Sequence, residues 1–193
     1  MLNFIVIRPG ASDFVDQGRI QGTLDVPLND HGKSEVARLT QELAGRGIVA
    51  VYCSTCEPAQ STATAIAQAL HVKLKELRGM QNLDHGLWQG MCIDEVKRKQ
   101  PTVYRQWQDQ PESVRPPDGE TLAEASERVD QVLEKLLKRH RQGVIALVVP
   151  EPLATLVKVR LGKGKLGDLW QAAAGHADWQ LIEITPQNVA QGH

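Results

Sequence analysis

The chain has 193 residues, 41% of them hydrophobic and 23% charged, with a formal net charge of −1. That length suits one domain with a full core, and neither sign of charge is in the excess that marks a binder of nucleic acid or anionic membrane. Three cysteines are few and odd in number for a disulfide scaffold, and the opening apolar run is short and ended by Arg8, unlike a secretory signal. The expectation is a single domain over residues 1–193 in the reducing cytoplasm, with no nucleic-acid or membrane partner and a composition compatible with a homodimer.

Short β-branched runs alternate with amphipathic stretches, which predicts an α/β fold: a three-layer sandwich, its central sheet mostly parallel, with helices on both faces. The first strand is predicted at Asn3 to Ile7. A helix capped by Asn29 or Asp30 follows, burying Val36, Leu39 and Leu43 and stopping at Gly45 or Gly47. Val49 to Cys53 reads as the second strand, and Thr55 is placed to cap a helix whose inner side is Ala59, Thr62, Ala63, Ile66, Ala67 and Leu70. Val72 to Leu77 is the third strand. The proline-rich interval from Pro111 to Gly119 predicts an ordered loop over one end of the sheet. Thr121 and Glu124 have capping-box spacing and open a long helix, with Leu122, Ala125, Val129, Val132, Leu133 and Leu136 in period and an end near Gly143. Its Lys135, Lys138 and Arg139, with Arg141, read as a solvated face near the negative end. Val144 to Val149 and Gln180 to Ile184 complete the strands, and residues 186–193 read as a loose tail.

Directly after the first strand stand Arg8, Pro9 and Gly10. With Arg19, Gln21, Gly22, Asp25, Pro27, Leu28 and Gly32 they fall in register with a known opening pattern: Arg-His-Gly-Glu-Thr, later Arg-x-Gln-Gly, then Asp-x-Pro-Leu and a Gly. Gly86, Trp88 and Gly90 match Gly-x-Trp-x-Gly, and Pro101, Tyr104, Trp107, Gly119, Glu120 and Thr121 extend the match. Over nearly its whole length the chain resembles the histidine phosphatase superfamily, the phosphoglycerate-mutase-like enzymes. The resemblance implies the fold already predicted and, in the family, phosphoryl transfer by a histidine held among two arginines, a second histidine and a carboxylic acid.

Residue by residue, the resemblance also implies departures. The nucleophilic histidine falls on Pro9, which has no nucleophile and no titratable proton. The second phosphate-clamping arginine falls on Pro58, the general acid on Asn82, and the second histidine on Glu151. An amide cannot exchange a proton near neutral pH. Loss of one member of such a unit commonly removes about 10⁴ to 10⁶ in rate. None of the six histidines, at 31, 71, 85, 140, 176 and 193, falls on a catalytic position of the family.

These substitutions predict a pseudo-phosphatase, not an enzyme, that acts as a binding or regulatory protein for a small molecule or another protein. No catalytic residue is expected at the degenerate positions Pro9, Pro58, Asn82 and Glu151. A vestigial pocket is expected from Arg8, Ser12, Gln21, Ser54, Asn82 and Glu151, with no cofactor and no metal. The residues just past each strand should converge, Arg8 pairing with Glu151 as its nearest carboxylate and narrowing the cleft. An alternative is a phosphoester hydrolase with a rearranged site around Arg8 and Glu151, the latter serving as base toward water. A second alternative is a redox dithiol at Cys53 and Cys56, a CxxC spacing at a strand–helix junction.

Overall fold

Alternation along the strands decides the layers. The structure, a computed structural model, describes residues 1–162 and 164–184. In chain order its elements are β1 (Leu2–Ile7), α1 (Asp13–Asp16), α2 (Asp30–Leu43), β2 (Ile48–Cys53), α3 (Glu57–Leu70), β3 (Lys73–Glu76), α4 (Ile93–Lys99), α5 (Pro101–Asp109), α6 (Leu122–Arg139), β4 (Gly143–Val148), α7 (Leu153–Arg160), α8 (Leu169–Ala173) and β5 (Trp179–Glu183). The strands form one sheet in the order β3-β2-β4-β1-β5, parallel except for β5, which pairs antiparallel with β1. This is the predicted α/β sandwich. The tail expected at 186–193 lies outside the described residues.

Ile5 and Ile7 of β1, Val51 and Cys53 of β2, and Ala146 and Val148 of β4 face one way, and α2 and α3 cover them with Leu39, Leu43, Ala63 and Ile66. The residues between them, Phe4, Val6, Tyr52, Ile145 and Leu147, face the other way and bury the apolar stripe of α6 together with α7. On that second side Trp88, Trp107 and Trp170 meet with ring centroids 5.8 to 6.1 Å apart. All three are buried and pack the core on this side of the sheet.

Local signals set most of the ends. Asn29 accepts from the Gly32 N–H to cap α2, and Thr121 with Glu124 forms the capping box of α6. Two expectations are corrected. The cap of α3 is Cys56, without a side-chain bond, because Pro58 sits in the first turn and Thr55 falls one residue too early. The long helix stops at Arg139 and not at Gly143, since Gly143 already belongs to β4. The interval 111–119 is ordered: a 3₁₀ turn at Pro111–Ser113, then a segment tied to the Gly86–Trp88 turn by the Leu87 N–H on the Pro117 carbonyl at 2.9 Å. Among the described residues no helix is long and apolar enough to cross a membrane.

Candidate active site

β1, β2 and β4 end together. The Val149 N–H donates to the Ile7 carbonyl and the Ser54 N–H to the Val148 carbonyl, each at 2.9 Å. The residues that follow, Arg8 to Gly10, Ser54, and Pro150 with Glu151, therefore gather at the carboxyl edge of the sheet. β5 runs the opposite way, so the residues that precede it arrive at that same edge. The Arg8 N–H donates to the Asp178 carbonyl and the Ala177 N–H to the Pro9 carbonyl, both at 2.9 Å.

A small recess of about 50 Å³ opens there, and Pro9, Gln21, Pro58, Asn82 and Glu151 all form its wall. Of the residues predicted to converge, Pro9, Pro58, Asn82 and Glu151 meet in this wall, and Arg8 joins them through Glu151, its Nη1 lying 3.6 Å from Oε1. Ser12 and Ser54 do not belong to the wall. Ser12 is fully buried, its hydroxyl donating to Gln21 Oε1 at 2.7 Å and capping α1, and Ser54 is buried beside Cys56. Both hydroxyls turn into the packing, so both assignments are corrected.

Arg8 is held chiefly by a residue the sequence reading passed over. Its Nε and Nη2 grip both carboxylate oxygens of Asp178, and Glu151 faces only the remaining Nη1. Burial works against the charge of Arg8, but Asp178 first and then Glu151 outweigh it and hold the guanidinium above its ordinary pKa. The expectation that Glu151 is the nearest carboxylate is thus corrected. Gly175 explains the close fit: a Cβ there would lie 1.6 Å from Arg8 Nη1.

Glu151 is buried, its side chain only 2% exposed. Its Oε2 accepts the Thr155 N–H at 3.0 Å, capping the first turn of α7, while Oε1 accepts no hydrogen bond among the described residues. Burial raises its pKa above the ordinary carboxylate value, and Lys158 at 3.7 Å, Thr155 and Arg8 only partly oppose that. Pro152, just after it, is the N-cap residue of α7.

Asn82 is committed to structure. Its amide donates to the Gly22 carbonyl at 3.0 Å and to the Glu151 carbonyl at 3.2 Å, and its oxygen accepts the Leu83 N–H. The Arg128 guanidinium fixes the loop beneath it by donating to the Gly79, Gln81 and Asn82 carbonyls. Gly22 has φ of +55° where the chain turns against Gln89, a conformation open to glycine.

Three further polar side chains of the wall were not assigned to the site from the sequence: Arg19, His85 and His176. Arg19 was visible as part of the Arg-x-Gln-Gly match. His85 is buried against Trp107 with its Nδ1 unpaired, and burial pushes its pKa down to about 4, so the ring is neutral at pH 7. His176 precedes β5, and its Nδ1 donates to the Glu35 carboxylate at 2.9 Å. The cysteine pair carries no site: both thiols are buried and unoxidised, burial raising Cys53 to about 12 and Cys56 in the same direction.

The model of the histidine phosphatase superfamily (branch 1) matches residues 4–191. A relative named phosphoserine phosphatase 1, from Hydrogenobacter thermophilus, is 31% identical over 95% of this chain and 87% of its own length. A bifunctional protein of Mycobacterium tuberculosis is 29% identical over 93% of this chain, which spans 50% of that longer protein. Among solved structures, a mycobacterial glucosyl-3-phosphoglycerate phosphatase complexed with VO3 has a TM-score of 0.81 at 19% identity, covering 93% of this chain and 91% of that one. The last is a likeness of fold. These matches overturn the expectation of a pseudo-phosphatase that is not an enzyme: the relative aligned over most of both chains is named as a phosphatase. The rearranged phosphoester hydrolase is the reading they favour.

Proposed function

Because the chain belongs to the histidine phosphatase superfamily, branch 1, we propose that it is a phosphomonoester hydrolase whose site is rearranged around Arg8 and Glu151. The observation that carries this reading is a guanidinium 3.6 Å from a buried carboxyl at the carboxyl edge of the sheet, the carboxyl belonging to the wall of the recess. Phosphoryl transfer needs positioned positive charge more than it needs a covalent partner. Arg8 supplies that charge through Nη1, the edge Asp178 leaves uncovered, and Arg19 adds a second guanidinium to the wall.

Pro9 offers no nucleophile, so the phosphoryl group passes to water directly. Glu151 is the buried proton carrier that faces Arg8 Nη1. Burial raises its pKa, which favours the protonated form and makes it an acid toward the leaving oxygen, where the sequence suggested a base. The relative's name makes phosphoserine the first substrate to try.

Release of inorganic phosphate from phosphoserine by the purified chain tests the reading. The expected result is turnover that Arg8→Ala and Glu151→Gln each lower by at least about 10²-fold. No release above buffer, or full activity in both variants, would overturn it.

A further inference from the structure

A hydrolysis that runs through water needs a group to take the water's proton, and Glu151, whose burial favours the protonated form, is already assigned to the leaving oxygen. The opposite side of the recess holds a better candidate. His176 is part of the wall, and its Nδ1 is tied to Glu35 at 2.9 Å. Glu35 is itself pinned, accepting the Ala11 N–H at 3.0 Å. The other ring nitrogen, Nε2, makes no hydrogen bond among the described residues. A carboxylate that fixes one imidazole nitrogen and leaves the other open is the arrangement of an oriented general base.

The backbone brings this residue to the same edge of the sheet as Arg8 and Pro9. Ala177 is bonded to Pro9, and Gly175 packs on Arg8 Nη1, so His176 lies between the two residues that touch the anion-binding arginine and the strand end. His85, the other imidazole of the wall, is packed against Trp107, and among the described residues no carboxylate is hydrogen-bonded to its ring. The charged groups around His176 are Glu35, the His31 ring at 5.6 Å, and Asp16 behind His31 at 3.3 Å. Arg8 faces it across Gly175.

Resting on the hydrolase reading above, we infer that His176, oriented by Glu35, is the general base of this site. Nε2 takes a proton from the attacking water as its oxygen forms the new bond to phosphorus. The bond from phosphorus to the leaving oxygen breaks, and that oxygen takes the proton of Glu151. Inorganic phosphate and the alcohol depart, and solvent returns the proton from His176 to Glu151. One water is consumed and no oxidant, metal or cofactor enters the balance.

The leaving group separates the two roles. An aryl phosphate departs without help from an acid, whereas phosphoserine needs one. His176→Asn is expected to lower kcat about 10²–10⁴-fold on both phosphoserine and p-nitrophenyl phosphate, and Glu151→Gln to fall much further on phosphoserine than on the aryl ester. The acid limb of the kcat profile should vanish in His176→Asn, because an amide cannot take the water's proton. Added imidazole should restore part of the turnover of His176→Ala, which a merely structural role would not allow. Wild-type activity and an unchanged pH profile in His176→Asn, beside loss in Arg8→Ala, would overturn the inference and leave the hydrolase standing. A loss in His176→Ala that imidazole does not restore would overturn it as well. No turnover by the wild type would overturn the hydrolase reading and this assignment with it.

Discussion

Arg8 and Asp178 are joined twice: the guanidinium grips the carboxylate, and the Arg8 N–H donates to the Asp178 carbonyl at 2.9 Å across the β1–β5 edge. The carboxylate orients the arginine, yet it also occupies charge that a phosphate would otherwise use. Asp178→Asn keeps the backbone bond and removes the competing anion. Calorimetry with inorganic phosphate should show a several-fold lower Kd, with stability changed by no more than about 1 kcal/mol because Asp178 is 57% exposed. Weaker phosphate binding in this variant would mean that orientation outweighs competition.

Glu151 couples stability to pH. Burial raises its folded pKa above the ordinary carboxylate value, so the folded chain keeps this proton to higher pH than the unfolded chain does. Its contribution to stability is complete below the unfolded value and is lost as pH rises through the folded one. Glu151→Gln stays neutral throughout. It should therefore melt above the wild type at pH 8, the gap closing toward pH 4, while it loses phosphoserine turnover. Equal melting temperatures across that range would refute the argument.

Gly175 makes room for the arginine. With a Cβ 1.6 Å from Nη1, Gly175→Ala must push the guanidinium aside. The obstructing atom is the end of a flexible side chain, so the fold should tolerate the change. The expected result is a loss of about tenfold or more in kcat/KM with a nearly unchanged Tm. An unaffected kcat/KM would place the working guanidinium elsewhere.

The thiols divide by burial. Cys53 and Cys56 are 1% and 5% exposed and held protonated, while Cys92 is half-buried. An aromatic disulfide reagent at pH 8 should label one thiol per native chain and all three in denaturant. Fast labelling of two or more in the native protein would revive the dithiol reading.

Periodicity and capping chemistry act over a few residues, which is why the sequence by itself determined the strands, the capping box at Thr121 and Glu124, and the arrival of Arg8, Pro58, Asn82 and Glu151 at one edge. Each of those residues follows a strand or opens the next element, and a parallel sheet sends all such positions to one side. Asp178 and His176 obey a different rule. They precede β5, and only the antiparallel pairing of β5 with β1, across about 170 residues of chain, sets them against Arg8 and Pro9. Nothing local in their sequence records that direction. The inward turn of Ser12 and Ser54 was equally a tertiary decision, because packing of α1 and α3 against the sheet chose which side of the chain faced the recess. Strand direction and burial are properties of the assembled sheet, and they determined which carboxylate holds the arginine and brought His176 to the recess wall.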